Sequence, residues 1–236
     1  MRKIPQKLWA KLIKGPEVRF ISHLDLLRAV ERALRRAGVP MVFSKGYNPR
    51  PKISFASALP VGMTSGGEYA EFILKHSWPP KEFQARLNEQ LPIGLEIVAI
   101  KEVAYNFPAL TAVVNLACYR INFFLPPGVK AVAFFATWED FYKQEKIQVR
   151  RQTKKGIRVF DLLPHVYGRK ARLGENDNVT LNIDLSFGPR GSLRPAELLQ
   201  AFWDFAGWEG RMPAIQREGL FILRDDGIFS PLEVDF

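Results

Sequence analysis

Four arginines, Arg28, Arg32, Arg35 and Arg36, fall on one side when the stretch SHLDLLRAVERALRRA is wound as a helix at about 100° per residue. Leu27, Val30, Leu34 and Ala37 fall on the other side, flanked by Leu26 and Ala33. Guanidinium groups are planar forks of donors that match phosphate oxygens. Asp25 and Glu31 can neutralise two of the four, which leaves a basic face suited to an anionic partner. The plainer alternative is a solvated helix surface.

A second basic set follows in SKGYNPRPKISFASALPVGMTSGGEY, from Ser44 to Tyr69. Gly46 permits positive φ there. Pro49 and Pro51 fix their own φ and push Asn48 and Arg50 into extended backbone. In an extended run Arg50 and Lys52 project to the same side. The segment is therefore expected to be a stiff prong carrying Lys45, Arg50 and Lys52, with Tyr47 placed to stack on a base. Stiffness lowers the entropy lost on binding. A rigid crossover that covers a sheet edge is the competing reading. The glycines of VGMTSGGE do not follow a strand and open a helix, so they form no nucleotide loop. A third set, Arg151, Lys154, Lys155 and Arg158, clusters around Gly156.

The charge distribution supports these three sets. The chain has 236 residues and a formal net charge of +10. Lys11 to Gly62 holds ten Lys/Arg against three Asp/Glu, and Lys146 to Arg172 holds nine against one. The remainder has fifteen basic and twenty acidic residues, so two basic islands stand out on an otherwise acidic chain. With 47% apolar residues the chain can bury a core, and no apolar run approaches a membrane span. The start, MRKIPQKLWAKLIKG, lacks the apolar stretch of a signal peptide. One cysteine, Cys118, allows no internal disulfide and fits a cytoplasmic setting.

Acid–base and metal chemistry are poorly provided for. The three histidines are His23, His76 and His165, spread too widely with a single cysteine to form a metal site, and no cofactor of its own is expected. His23, in the first turn of the basic helix, is the best-placed general base. It lies on the apolar side with no second titratable group beside it, which favours a capped or core histidine. No residue is assigned as catalytic.

The elements that must position these groups repeat in order. LWAKLIKG and EVRFI read as short strands, and Ser22 with Asp25 has capping-box spacing for a helix that Gly38 and Pro40 end. KISFASAL and EYAEFILKH read as strands, PPKEFQARLNEQL as a helix and GLEIVAIKEV as a closing strand. After a linker at YNFPAL, AVVNLACYRINFFL reads as a strand and GVKAVAFFATWEDFYKQ as a helix. KIQVRRQTKKGIRVFDLL reads as a hairpin, NVTLNIDLSF as a strand, RPAELLQAFWDFAG as a helix and REGLFILRDD as a final strand. The expected fold is α+β, two tandem ferredoxin-like βαββαβ domains over 1–105 and 110–236. In SFGPRGSLRP, from Ser186 to Pro195, Gly188 and Gly191 precede a helix N-terminus that suits an anion, against the plainer reading of a turn.

Several stretches carry a resemblance. The S-H-L-D-x-x-R core at Ser22 to Arg28, the R-R-A at Arg35 to Ala37 and S-K-G-Y-N-P-R-P at Ser44 to Pro51 closely resemble the radical-SAM-linked protein family. Its members are found fused to, or encoded beside, B12-binding-type radical SAM proteins. TKKGIRVFDLLPHV, from Thr153 to Val166, is similar to that family's second signature. The resemblance implies a radical SAM protein as partner. With no C-x-x-x-C-x-x-C in this chain, the radical chemistry would belong to that partner. A more distant likeness, in the helix entry and the basic helix, is to the CRISPR repeat-processing endoribonucleases of the RAMP superfamily, in which His23 would be the only available base.

Three functions remain in view. The first is a non-catalytic RNA-binding partner that presents a structured RNA to a radical SAM modification enzyme. The second is a metal-independent endoribonuclease that uses His23. The third is a protein-only adaptor whose basic patches meet an acidic face.

Overall fold

The computed structural model describes residues 5–188 and 191–234. It is an α+β protein that divides into two compact units. The first comprises residues 1–115 and 217–236, and the second residues 116–216.

In the first unit β1 (Gln6–Lys14) leads to α1 (His23–Arg36), β2 (Ile53–Phe55), β3 (Thr64–Leu74), α2 (Pro80–Asn88) and β4 (Leu95–Val103). β1 pairs antiparallel with β3 and with β4, setting Ala10 opposite Ala70 and Ile100. β2 pairs antiparallel with β3, so the order β4-β1-β3-β2 matches the expected βαββαβ arrangement. A short helix α3 (Leu110–Val113) begins at the last residue of the expected linker YNFPAL and takes up the first residues of AVVNLACYRINFFL, which runs as a strand only from Leu116. EVRFI is not a strand: Pro16 opens a single 3₁₀ turn, Pro16–Val18, because proline has no N–H for a ladder but fits a first helical position.

α1 buries Leu26, Val30, Ala33 and Leu34, four apolar side chains at helical spacing, against Leu8, Ala10, Phe72 and Leu74. Ser22 caps it as the spacing predicts, its Oγ accepting from the Asp25 N–H at 3.2 Å and donating to Asp25 Oδ2 at 2.7 Å. Gly38, at φ +68°, follows its last turn.

β10 (Ala214–Arg224) and β11 (Gly227–Phe229) pair antiparallel, and β10 borders β3. From Arg217 onward this segment belongs to the first unit, whereas chain order alone assigns it to a domain over 110–236. Two contacts explain the grouping. Gly67 faces β10 so closely that a Cβ would lie 3.1 Å from Gly219 Cα and 3.2 Å from the Glu218 carbonyl oxygen. Arg217 also forms a two-pronged ion pair with Glu68, at 2.7 Å and 2.5 Å, with both side chains almost wholly buried. Gly66 and Gly67 of VGMTSGGE therefore serve close strand approach, while Gly62 sits in a turn at φ +88°.

In the second unit β5 (Leu116–Phe124) is followed by α4 (Ala131–Phe141), β6 (Gln148–Thr153), β7 (Gly156–Asp161), β8 (Val166–Leu173), β9 (Asn178–Ser186) and α5 (Pro195–Ala206). β9 pairs antiparallel with β5 and β8, and its Val179, Leu181, Ile183 and Leu185 are buried at the period of two that NVTLNIDLS predicts. β8 is not expected from sequence. Its stretch VYGRKARL interrupts its apolar residues with a glycine and three basic residues and buries none of them fully, so it lacks the apolar alternation that marks a strand. α4 and α5 pack through aromatic rings, with Trp138 and Phe202 4.9 Å apart and Phe141 and Phe202 5.5 Å apart. β6 and β7 form a separate two-stranded hairpin. No helix among the described residues is long and apolar enough to cross a membrane.

Candidate nucleic-acid interface

The basic helix and the prong meet. Arg28 and Arg35 from α1 line a cleft of about 400 Å³ together with Glu31 and with Asn48, Pro49 and Arg50 of the loop. All three arginines are exposed, so their guanidinium groups can be reached from solvent. Arg28 is joined to Asp25 at 3.3 Å on the surface, a contact that an incoming phosphate can replace at small cost. The hydrogen bond from Ser22 holds the Asp25 carboxyl below its usual range against an opposing burial effect, and Arg28 adds to the lowering.

The loop is held by its backbone as well as by its prolines. The Ser44 N–H donates to the Arg50 carbonyl at 2.8 Å, and the Arg50 N–H donates to Ser44 Oγ at 3.1 Å. Phe43 and Pro51 form a β-bridge, and the Lys52 N–H donates to the Val42 carbonyl at 2.7 Å. Gly46 takes φ +137°, which only glycine adopts freely. Pro51 is buried while Arg50 and Lys52 on either side are exposed, the alternation expected of an extended run. Lys45 is exposed, and Tyr47 is fully so at 102%. An aromatic ring with no packing partner, on a clamped loop beside three arginines, is placed to stack on a base.

The other candidate residues divide. Arg32 is exposed on α1 outside this cleft. Arg36 is committed to the fold: its guanidinium donates to Gln90 Oε1 at 3.1 Å and to the Gln90 carbonyl at 2.5 Å. Arg151 is likewise engaged, donating to Glu197 at 2.6 Å and 2.5 Å and to the Ser192 carbonyl at 2.7 Å while lying over the Phe160 ring. Its expected phosphate contact gives way to this part-buried pair. Lys154, Lys155 and Arg158 remain exposed around the turn at Gly156, which takes φ +115°. They line a shallow cleft of about 560 Å³ with Thr153 and Ile157.

The α5 N-terminus, which the sequence offers as an anion site, is already served by Glu197, whose carboxylate accepts from the Arg194 N–H at 2.9 Å. Pro189 and Arg190 of that loop lie outside the described residues. Burial pushes the Glu197 carboxyl up, but the hydrogen bonds from Arg151 and Arg194 outweigh it and hold it below its usual range. A carboxylate depressed in the fold stabilises above its unfolded pKa of about 4.3 and loses that contribution as pH falls through the folded value. Glu197→Gln should therefore cost about 1.5–3 kcal/mol at neutral pH, the worth of hydrogen bonds to a charged group. Thermal melts should show that deficit shrinking below about pH 4. A deficit that grows on acidification would mean that Glu197 is not the titrating partner.

His23 packs edge to face on Phe55 at 5.5 Å, and its Nδ1 is buried without a hydrogen-bond partner. His23 as a whole is half-buried in the first turn of α1. Among the described residues no group of His, Cys, Asp and Glu could hold a metal ion.

Two polar members of the arginine cleft do not stand out from sequence as site residues, Glu31 and Asn48. Glu31 is legible as the carboxylate one turn from both Arg28 and Arg35. Nothing local marks Asn48, because its place depends on how the loop folds back.

No curated protein matches the chain. Among solved structures 26 chains match. One belongs to a Cbf5-Nop10-Gar1 complex, at 10% identity and TM-score 0.47, covering 88% of this chain but only 47% of that one. Another is a candidate glycine cleavage system transcriptional repressor, at 10% identity and TM-score 0.23, covering 87% of this chain and 91% of that one. At those identities and scores neither bears on what this chain does. In sequence, residues 7–195, most of both units, match the family described as an uncharacterized protein conserved in bacteria (DUF2344), and the chain belongs to that family.

Proposed function

We propose that the chain is a non-catalytic RNA-binding protein that presents a structured RNA to a radical SAM enzyme in the cytoplasm. One observation carries the RNA reading. Arg28 and Arg35 of α1 and Arg50 of the following loop line a single cleft, and the same loop carries the fully exposed Tyr47 next to the cleft residue Asn48. Arginine forks grip phosphate, and an exposed ring on a stiff loop takes a base, so the pair suits an unpaired or bulged segment. Lys154, Lys155 and Arg158 on the hairpin add a second phosphate contact. The radical SAM partner is suggested by the signatures at Ser22 to Arg28 and Ser44 to Pro51, and that partner would supply the cluster chemistry. The ribonuclease reading is weaker, since His23 faces Phe55 with no second acid or base in hydrogen-bond contact.

RNA affinity should fall steeply with salt, with log K against log salt sloping by roughly −0.7 to −0.9 per neutralised phosphate. Arg28→Ser with Arg35→Ser should lower that slope by between one and two while leaving the melting temperature unchanged. A flat salt response would sink the RNA reading and favour the protein adaptor. Cleavage products that vanish in His23→Ala would favour the ribonuclease.

A further inference from the structure

In the second unit the chain after α5 turns back along the helix end. Gly207 closes α5 in the left-handed region at φ +66°. Gly210 then lies directly on the Trp203 indole, where a Cβ would come within 2.4–2.6 Å of Cδ2, Cε2 and Nε1. Beside this segment is a cleft of about 810 Å³ whose walls include Phe123, Phe124, Trp203, Trp208, Arg211 and Met212. None of these residues takes part in the arginine cleft.

Three features define what the cleft can hold. The first is its rings: Phe123 meets Trp203 edge to face at 5.4 Å, Trp208 lies 6.5 Å from Trp203, and Phe124 is 69% exposed. The second is a buried donor without an acceptor. Trp203 is only 3% exposed, and its Nε1 has no hydrogen-bond partner. A buried N–H left unpaired costs free energy that an incoming acceptor recovers. The third is Arg211, exposed at the rim.

We propose that this cleft is a nucleotide site. The base lies against Phe124 and Trp208, and its phosphate meets Arg211. Gly210 shifts off the indole, so that a carbonyl or ring nitrogen of the base accepts from Trp203 Nε1. A lipid chain would use the rings but leave the indole N–H and Arg211 without partners. A proline-rich peptide would supply carbonyls but no anion. A nucleotide supplies a flat π face, ring acceptors and a phosphate together, and the cleft lies in the size range of small-ligand sites. Free nucleotides and unpaired nucleotides of an RNA share this chemistry. The proposal does not depend on RNA binding by the first unit.

The test is a titration of the intact protein with AMP, GMP, CMP, UMP, inorganic phosphate and a short single-stranded RNA, read by intrinsic tryptophan fluorescence. At least one nucleotide should change the signal saturably while inorganic phosphate does not. Phe124→Ser with Arg211→Ser should weaken that binding about tenfold or more, as expected for loss of a stacking ring, with the melting temperature unchanged. Met212→Lys, a change at a side chain 49% exposed, serves as a second blocking variant should the first fail to fold. Arg28→Ser with Arg35→Ser should bind nucleotide like the unaltered protein, which separates this site from the RNA cleft. Saturation by free nucleotides identifies them as the source. Binding of the RNA alone, weakened by the same cleft variants, identifies an unpaired RNA base. Silence towards both, cleft variants that bind like the unaltered protein, or saturation by a proline-rich peptide instead would overturn the proposal.

Discussion

Arg217→Met is expected to lower the unfolding free energy by about 3–5 kcal/mol, the usual cost of stranding one member of a buried ion pair. Arg217 and Glu68 have side-chain exposures of 2% and 3%, and two hydrogen bonds join the guanidinium to both carboxylate oxygens. Removing the arginine leaves a carboxylate with almost no access to water. Lys14 is also buried nearby. Burial pushes its ammonium below the usual lysine range while the attraction of Glu68 opposes that shift. Lys14 Nζ is nevertheless occupied, donating to the Arg19 carbonyl at 3.0 Å, and it cannot replace a two-pronged partner. Against a total stability of roughly 5–15 kcal/mol, the loss should appear as a large drop in the urea midpoint. The double variant Glu68→Leu with Arg217→Met should recover most of it, since well-packed apolar side chains replace buried ion pairs at little or no cost. A single variant that costs under about 1 kcal/mol, the value of a surface pair, would show that the pair is not desolvated in solution.

Arg50→Ala with Lys52→Ala should weaken RNA binding by one to two orders of magnitude and reduce the salt slope by roughly 0.7–0.9 per phosphate that is no longer neutralised. Both side chains are exposed on either side of the buried Pro51, so their removal takes charge from the surface and little from the core. Pro49→Ala tests shape instead of charge. Freeing one residue adds back at most the ~1–2 kcal/mol of backbone entropy that binding must then remove. The effect should stay well below that ceiling, because the Ser44–Arg50 hydrogen bonds still close the loop. The salt slope should be unchanged. Pro51 is the poorer probe, since it bridges to Phe43 and is buried. Should Arg50→Ala with Lys52→Ala bind RNA like the unaltered protein, the loop serves only to cover the sheet.

Local chemistry alone determined much of this protein. The Ser22 cap, the apolar stripe of α1 and the arginines opposite it follow from side-chain spacing, and so do the alternation in β9 and the hairpin turn at Gly156. These features depend on residues within one or two turns of each other, where periodicity and φ preferences act directly. What needed the tertiary structure was partner choice across long separations. Arg50 joins Arg28 and Arg35 because the loop folds back onto α1, while Arg36 is drawn to Gln90 and Arg151 to Glu197. In sequence these arginines are equivalent forks of charge. Burial and the nearest acceptor decide which of them tie the fold together and which face water. The last strand obeys the same logic. REGLFILRDD reads as a strand by composition, but its grouping with the first unit rests on the glycine approach at Gly67 and the Glu68–Arg217 pair. Both are contacts between segments about 150 residues apart, and no local propensity encodes them.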